Sequence, residues 1–176
     1  MLAIRTRLGR FCLHLLLCLL SVSFPGCDRQ SYRDVVQDFS DRPVGEIVAG
    51  VTVGQTFVAN HNSLNGVSIL MATYARKNDC NLVFHVRREG EYGEIVTRGL
   101  KCADIQDNNW VRFDFPAVKD SLGRKFLFFL ESPDGSRENS VTIWMASLPN
   151  IYPEGRTLIN GEPIPGALRF ITYHEG

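Results

Sequence analysis

The chain has 176 residues with nineteen basic and nineteen acidic side chains, so its formal net charge at neutral pH is zero. This length suits one domain with a substantial core and is short for two. The balanced charge argues against a nucleic-acid partner, which would need a clustered basic surface.

The first 26 residues have the pattern of a secretory signal peptide. The basic start MLAIRTRLGR is followed by the apolar run FCLHLLLCLL of about ten residues. A transmembrane helix needs about 20 apolar residues, so this run is too short to span a bilayer. A signal peptide over residues 1–26 is therefore predicted, with an uncleaved membrane anchor as the alternative.

Residues 23–27, SFPGC, resemble the lipobox of bacterial lipoproteins. In that family the cysteine is modified with acyl chains such as palmitate, and the chain is cut just before it. Gly26 fits the small-residue position, whereas Phe24 and Pro25 depart from the commonest pattern. The resemblance implies lipidation of Cys27 and an extracytoplasmic protein anchored in the inner or the outer membrane. Removal of residues 1–26 would leave sixteen basic and nineteen acidic side chains, a net charge of −3.

Residues 27–43 are rich in charge and carry few large apolar side chains. They are predicted to form a tether between the lipid and the domain, with one helical turn around residues 32–39. Pro43 marks the end of the tether, and the folded domain is expected over residues 44–176.

Cys80 and Cys102 are the two cysteines left once the signal and the lipidated residue are set aside. A turn at residues 90–93 separates two strand patterns, and a hairpin folded about position 91 pairs residues whose numbers total 182. Cys80 and Cys102 then lie opposite each other, at a separation compatible with a disulfide. Such a bridge would stabilise the fold by roughly 3 kcal/mol. A metal site is the alternative, but no histidine pair lies nearby to complete it.

From residue 44 onward the hydrophobic period is two, and clusters of Gly, Asn, Asp and Pro separate the short apolar segments. This pattern predicts an all-β antiparallel sandwich or barrel of about eight strands. The predicted strands are Gln55–Ala59, Gly66–Ala75, Asn81–Arg88, Glu94–Arg98, Trp110–Phe115, Lys125–Glu131, Ser140–Ala146 and Leu168–Tyr173.

Alternation along the strands places both tryptophans on the face turned away from the strongest apolar pattern. Trp110, Arg112 and Asp114 share one such face, and Thr142 and Trp144 share another. An exposed aromatic ring beside polar groups can stack on a sugar, so these five residues are candidate ligand-binding residues. The alternative is that a second layer, a loop or residues 147–166 cover the tryptophans. The segment KFLFFLE is apolar on both faces, as in a central or doubly covered strand.

Two polar connections, NHNSLNG and YPEGRTLINGEPIPG, are candidate rim sites, because loops at strand ends commonly carry binding residues. Asn62 and Tyr152 are the main candidates there, joined by Asn60, His61 and Asn160. Turn chemistry is the alternative, since Asn and Gly tolerate left-handed backbone.

Glu131 and Asp134 are weak candidates for a structural Ca²⁺ site, although SPDG is first of all a turn. No other cofactor is expected. The histidines at 61, 85 and 174 have no metal-ligand or catalytic spacing, and no nucleophile or phosphate-binding motif is present. No catalytic residue is therefore predicted, and the protein is not expected to be an enzyme.

Three segments, residues 54–76, 110–135 and 153–173, resemble bacterial extracytoplasmic jelly-roll domains similar to galactose-binding and carbohydrate-binding modules. The resemblance implies a jelly-roll sandwich but specifies function poorly, because sandwiches of this type host unrelated functions. It carries over no catalytic motif. The expected function is that of a lipid-anchored, non-catalytic domain that binds envelope glycan. A protein-interaction module of a membrane-embedded polysaccharide or export machine is the alternative.

Overall fold

The computed structural model describes residues 30–176. The predicted signal peptide and Cys27 lie outside the described residues. The described part contains one 3-10 turn, Cys102–Asp104, and thirteen strands. In chain order the strands are β1 (Ser31–Gln37), β2 (Arg42–Pro43), β3 (Thr52–Val58), β4 (Leu64–Ala72), β5 (Asn81–Arg88), β6 (Glu94–Lys101), β7 (Asn109–Val118), β8 (Lys125–Glu131), β9 (Thr142–Ala146), β10 (Thr157–Ile159), β11 (Glu162–Ile164), β12 (Ala167–Leu168) and β13 (Phe170–Glu175).

The strands form two antiparallel sheets, and these pack as a sandwich. One sheet has seven strands in the order β1-β13-β4-β9-β12, with β2 paired to β9 and β7 paired to β4. The other has six strands in the order β11-β10-β3-β8-β5-β6. The all-β sandwich predicted from the sequence is confirmed and is compatible with a jelly roll, with thirteen strands in place of about eight.

The core lies between the two sheets and is rich in phenylalanine. Its five largest aromatic side chains are fully buried: Phe57, Phe84, Phe126, Phe128 and Phe170. Phe57 contacts Phe126 and Phe170 with ring centroids 5.6 and 6.1 Å apart, so the rings join both sheets. Truncation of such a buried ring to alanine costs about 3–5 kcal/mol, a large part of the roughly 5–15 kcal/mol by which a native domain is stable.

The predicted disulfide is present between Cys80 and Cys102, with the two Cα atoms 5.2 Å apart. The β5–β6 hairpin has the predicted register, because Asn81 pairs with Lys101 and Val86 with Val96. Both cysteines are buried at the open end of this hairpin. The bridge therefore ties the edge strand β6 to the sheet.

The prediction of a tether over residues 27–43 is wrong for the part that the structure describes. Residues 31–37 form strand β1, which pairs with β13 at the edge of the seven-stranded sheet, and no helical turn forms there. Val35 and Gln37 are buried, and the Gln37 side chain donates a 3.1 Å hydrogen bond to the Leu168 carbonyl. These contacts explain why a charged segment folds with the sandwich.

Apart from β1, the additional strands are short. β2, β10, β11 and β12 have two or three residues each, too few for an alternating pattern to reveal them. β10 and β11 belong to the segment 147–166, and they extend the six-stranded sheet beside β3. The predicted strand to Ala75 ends instead at Ala72, because Tyr74 and Ala75 adopt left-handed backbone with φ of 58° and 55°.

Candidate functional site

Trp110 and Trp144 line one open groove on the outer face of the seven-stranded sheet. Both rings are half-buried. The groove has a volume of about 510 Å³, and its lining also includes Ser40, Leu70, Asn108 and Arg169. We call this site the tryptophan groove. The segment 147–166, which was the alternative cover for the tryptophans, contributes no residue to its lining.

Backbone pairing brings the two tryptophans to the same groove. Trp110 on β7 pairs with Leu70 on β4, and the Leu70 N–H donates a 3.1 Å hydrogen bond to the Arg169 carbonyl. The Arg169 N–H in turn donates a 2.8 Å bond to the Trp144 carbonyl. The backbones of Leu70 and Arg169 therefore lie between those of the two tryptophans.

The edge of the Trp144 ring is fixed by a polar contact. Its Nε1–H donates a 2.8 Å hydrogen bond to Oδ1 of Asn108. Asn108 adopts left-handed backbone with φ of 54°, a conformation that asparagine tolerates better than most residues. The turn before β7 thus holds the indole and leaves its ring to line the groove.

Arg169 is a cationic group without an anionic partner in the groove. Its Cζ lies 5.5 Å from the centroid of the Trp110 ring. One terminal nitrogen donates a 3.3 Å bond to Oγ of Ser40, and the buried Nε has no hydrogen-bond partner. Arg169 forms no ion pair with any residue from 30 to 176, so its guanidinium offers unused hydrogen-bond donors to a ligand.

Arg112 and Asp114 lie on the predicted face but outside the tryptophan groove. Nε of Arg112 donates a 2.7 Å bond to Asp114, and a terminal nitrogen donates a 2.9 Å bond to Oγ of Ser31. The guanidinium also lies 3.8 Å from the centroid of the Tyr173 ring. These contacts join β7 to β1 and β13, so the two residues have structural partners.

Thr142 is placed differently from the sequence prediction. It is fully buried, and its Oγ1 accepts a 3.3 Å hydrogen bond from the Gly45 N–H. The structure therefore removes Thr142 from the surface that carries Trp144.

The two polar connections show the turn chemistry that was the alternative reading. The side-chain oxygen of Asn62 accepts a bond from the Leu122 N–H at 3.1 Å, and that of Asn160 accepts one from Thr52 at 2.7 Å. Asn60 and His61 both contact the Asp34 carboxylate, with Nδ1 of His61 at 2.7 Å. These side chains brace loops against strands.

Tyr152 closes one end of the core. Its hydroxyl accepts a 3.3 Å bond from the Val58 N–H, and its ring packs edge-on against Phe170 at 5.5 Å. Burial raises the pKa of Tyr152 to about 12, so the hydroxyl stays protonated at physiological pH. It lines shallow surfaces away from the tryptophan groove.

The calcium candidates Glu131 and Asp134 have separate partners. The Asp134 carboxylate accepts bonds from the backbone and side chain of Asn81, and these bonds lower its pKa. Oε1 of Glu131 lies 3.5 Å from Nε2 of His85. Within residues 30–176 no group of three or more His, Cys, Asp or Glu side chains could hold a metal ion.

A second groove, which sequence reasoning missed, lies on the outer face of the six-stranded sheet. It has a volume of about 360 Å³, and its lining includes Gly54, Arg87, Leu127, Phe129 and Leu158. The sequence feature that could have revealed this groove is the strand KFLFFLE, which is apolar on both faces. β8 is indeed central, between β3 and β5, but Leu127 and Phe129 line an open groove on the outer side.

None of the described elements is a helix long and apolar enough to cross a bilayer. Known proteins add no family assignment: no protein-family model matches the chain, and no curated protein matches it significantly. The resemblance drawn from the sequence is therefore supported at the level of the fold, an all-β antiparallel sandwich compatible with a jelly roll.

Proposed function

We propose that this protein is a non-catalytic, extracytoplasmic carbohydrate-binding domain, attached to a membrane of the cell envelope through acyl chains on Cys27. The observation that carries the proposal is the presence of two half-buried tryptophans, Trp110 and Trp144, in one open groove. The ligand is an envelope oligosaccharide that reaches from one ring to the other.

The groove offers the two kinds of contact that sugar recognition uses. Indole rings supply a flat apolar surface that packs against the C–H face of a pyranose. Binding is tighter when the rings are already fixed in the free protein, because less side-chain freedom is lost. Trp144 is held in this way by Asn108. The Arg169 guanidinium, the Asn108 amide and the Ser40 hydroxyl surround the rings with groups that bind hydroxyl or acidic substituents.

The proposed anchor places the sandwich close to the bilayer. Three residues separate Cys27 from Ser31, the first residue of β1, so the chain advances four residues from one to the other. A fully extended chain of four residues spans at most about 14 Å. The β1 edge of the seven-stranded sheet would therefore face lipid headgroups or neighbouring membrane proteins at short range.

Glycan binding is tested with the full-length chain in detergent micelles, by a microarray of bacterial envelope oligosaccharides followed by calorimetry on the hits. Trp110→Ala and Trp144→Ala should each weaken binding about tenfold or more, because aromatic anchors dominate such contacts. Tyr92→Ala is the control, since Tyr92 is 98 % exposed in the β5–β6 turn. Binding that survives both tryptophan substitutions unchanged would remove the groove from the proposal.

The anchor is tested independently by mass spectrometry of the membrane-extracted protein. An acylated N-terminal fragment that begins at Cys27 supports the proposal, and Cys27→Ser should abolish acylation. An intact N-terminus at Met1 would contradict it.

A second candidate function is protein interaction within a membrane-embedded polysaccharide or export machine. The favouring observation is a group of exposed apolar side chains on β1 and the segment after it: Tyr32, Val36 and Phe39 are 45, 46 and 46 % exposed. This group lies next to the proposed anchor. Photo-crosslinking from position 36 in whole cells should then give one dominant protein adduct, while sugar binding would be undetectable.

A further inference from the structure

The groove on the six-stranded sheet contains a slot whose walls are a leucine and a phenylalanine ring. Leu158 on β10 pairs with Gly54 on β3, and Gly54 pairs with Phe129 on β8. Leu158 and Phe129 are thus two strands apart, roughly 9.6 Å between Cα atoms. A flat ring in contact with both walls needs about 7–8 Å between the facing carbon atoms, so a single planar ring fits.

The floor of the slot must remain without a side chain. A Cβ added at Gly54 would lie 2.8 Å from the Phe128 carbonyl oxygen and 2.9 Å from Cβ of Phe129. Real Cβ atoms do not approach backbone this closely. Leu127 Cδ1 would also lie 3.1 Å away, so glycine at this position is required by the close approach of β8, and no side chain from residue 54 enters the groove.

One face of the Phe129 ring is directed to the slot. The imidazole of His85, on the neighbouring strand β5, stacks on the ring with a centroid distance of 4.4 Å and an interplanar angle of 4°. Because β5 and β3 lie on opposite sides of β8, the other face of the ring is turned toward Gly54. His85 thereby fixes the ring upright, ready to stack on a planar group.

Arg87 supplies a positive charge at this ring. Its Cζ lies 5.6 Å from the Phe129 centroid. Glu94 pairs with Arg87 across the β5–β6 hairpin, but its carboxylate is hydrogen-bonded to Thr97 and His85, and these bonds, with a smaller contribution from the Arg87 charge, lower its pKa. No direct Arg87–carboxylate bridge forms within residues 30–176. The neighbouring basic residues differ: Arg88 binds Asp120 at 2.7 Å, and Lys125 binds Glu89 at 3.0 Å. Glu89 also lines the groove, but its carboxylate is engaged by that lysine.

Besides Arg87, the polar side chains that line the groove are two threonines, Thr52 and Thr56, and Glu89, and this limits the class of ligand. The Thr56 side chain is almost fully buried, and its Oγ1 already accepts a 2.8 Å bond from the Arg156 N–H. A sugar, with hydroxyls around its whole edge, would lose hydrogen bonds to water here without replacing them. A flat apolar ring with one anionic substituent loses few hydrogen bonds to water, and its anionic group binds the Arg87 guanidinium.

We propose that this slot binds a small aromatic carboxylate, with its ring between Phe129 and Leu158 and its carboxylate on the Arg87 guanidinium. The site is separate from the tryptophan groove, which lies on the other sheet, and does not depend on glycan binding. The ligand sources that share this chemistry are a free aromatic acid and the C-terminal phenylalanine of a peptide.

The test is calorimetry and NMR titration of the full-length chain in micelles with phenylacetate and its neutral analogue phenylacetamide. Phenylacetate should bind about 10- to 100-fold more tightly, because hydrogen bonds to a charged partner are the strong ones. Arg87→Gln should remove this difference, and Phe129→Leu should weaken both probes. Arg98→Gln on β6 is the matched control and should leave both affinities unchanged.

Circular dichroism and thermal melting establish that each variant is folded. Equal binding of phenylacetate and phenylacetamide to the wild-type chain overturns the proposal, as does phenylacetate binding that Arg87→Gln and Phe129→Leu leave intact. The proposal is also overturned if neither phenylacetate nor the peptide acetyl-Gly-Gly-Phe binds. Binding of phenylacetate alone supports the slot and assigns it to free acids. Binding of acetyl-Gly-Gly-Phe alone, with the same dependence on Arg87, supports it and assigns it to peptide C-termini.

Discussion

Trp144 is held in its groove by Asn108, whose side-chain oxygen accepts the indole N–H at 2.8 Å. Asn108→Gly should weaken oligosaccharide binding about three- to tenfold, because the ring would lose its orientation before binding. Glycine keeps the left-handed backbone at this position, so the fold should be affected little. Calorimetry with a hit oligosaccharide measures the loss, and Asn108→Asp, which retains the acceptor, should bind better than Asn108→Gly. Equal affinity in the wild type and Asn108→Gly would contradict a positioning role.

Arg169 should make the tryptophan groove prefer acidic oligosaccharides. Its guanidinium has no anionic partner within the described residues, and its Nε has no acceptor. Arg169→Gln should therefore reduce binding of a uronate-containing oligosaccharide about 10- to 100-fold and leave its neutral counterpart within about threefold. Calorimetry at two salt concentrations provides the second readout. The preference of the wild type for the acidic over the neutral oligosaccharide should weaken as salt rises, because salt screens the charge of Arg169. Equal losses of affinity for the acidic and the neutral oligosaccharide would mean that Arg169 contributes through packing alone.

Local sequence pattern was sufficient to predict the hairpin disulfide and the outward direction of both tryptophans. Cys80 and Cys102 are related by a local turn, so counting residues finds the pair. Trp110 and Trp144 lie opposite core residues such as Val111 and Ile143 on their own strands. Local pattern carries this information because side chains alternate strictly along a strand.

Contacts between segments that are far apart in the sequence could not be predicted from local pattern. Arg112 was assigned to the correct face, but its partners Ser31 and Tyr173 come from the two ends of the described chain. Arg169 lies between β12 and β13 and joins the tryptophan groove only because its backbone is hydrogen-bonded to Leu70 on β4 and Trp144 on β9. β1 escaped detection because its pairing with β13 shifts register between Arg33 and Val36, which breaks the alternation.

The matched pair Val35 and Val36 tests whether β1 belongs to the sandwich. Val35 is 5 % exposed and packs in the core, whereas Val36 is 46 % exposed. Val35→Ala should lower the free energy of unfolding by about 2 kcal/mol, and Val36→Ala should change it by less than about 0.5 kcal/mol. Urea denaturation of the two variants measures the difference. Similarly small changes in the free energy of unfolding at both positions would contradict the packing of β1 in the sandwich and favour the predicted tether.

The Cys80–Cys102 bridge should contribute substantially to stability. The double variant Cys80→Ala/Cys102→Ala should lose about 3 kcal/mol of unfolding free energy, because the open loop restores freedom to the unfolded chain. Urea denaturation of the wild-type chain with and without a reductant provides the comparison. A wild-type midpoint that does not respond to the reductant, together with alkylation located at Cys80 and Cys102, would show that the bridge does not form.

Glu46 should make part of the stability depend on pH. Its carboxylate accepts a 2.6 Å bond from Arg76 and a 3.1 Å bond from the Glu138 N–H, and the bond from Arg76 is the main cause of its lowered pKa. Because the folded-state pKa lies below the ordinary value of 4.5, this contribution is fully present above pH 4.5 and is lost as pH falls through the folded-state value.

Glu46→Gln should therefore lower the urea midpoint at pH 6, and the gap between wild type and variant should narrow as the pH falls to 3. Glu91→Gln, in the exposed turn between β5 and β6, is the control and should follow the wild type at every pH. A gap for Glu46→Gln that stays constant from pH 6 to 3 would mean that its effect comes from packing. A gap that widens with acid would reverse the sign of the linkage and contradict the assignment of Arg76 as the partner that stabilises the charged carboxylate.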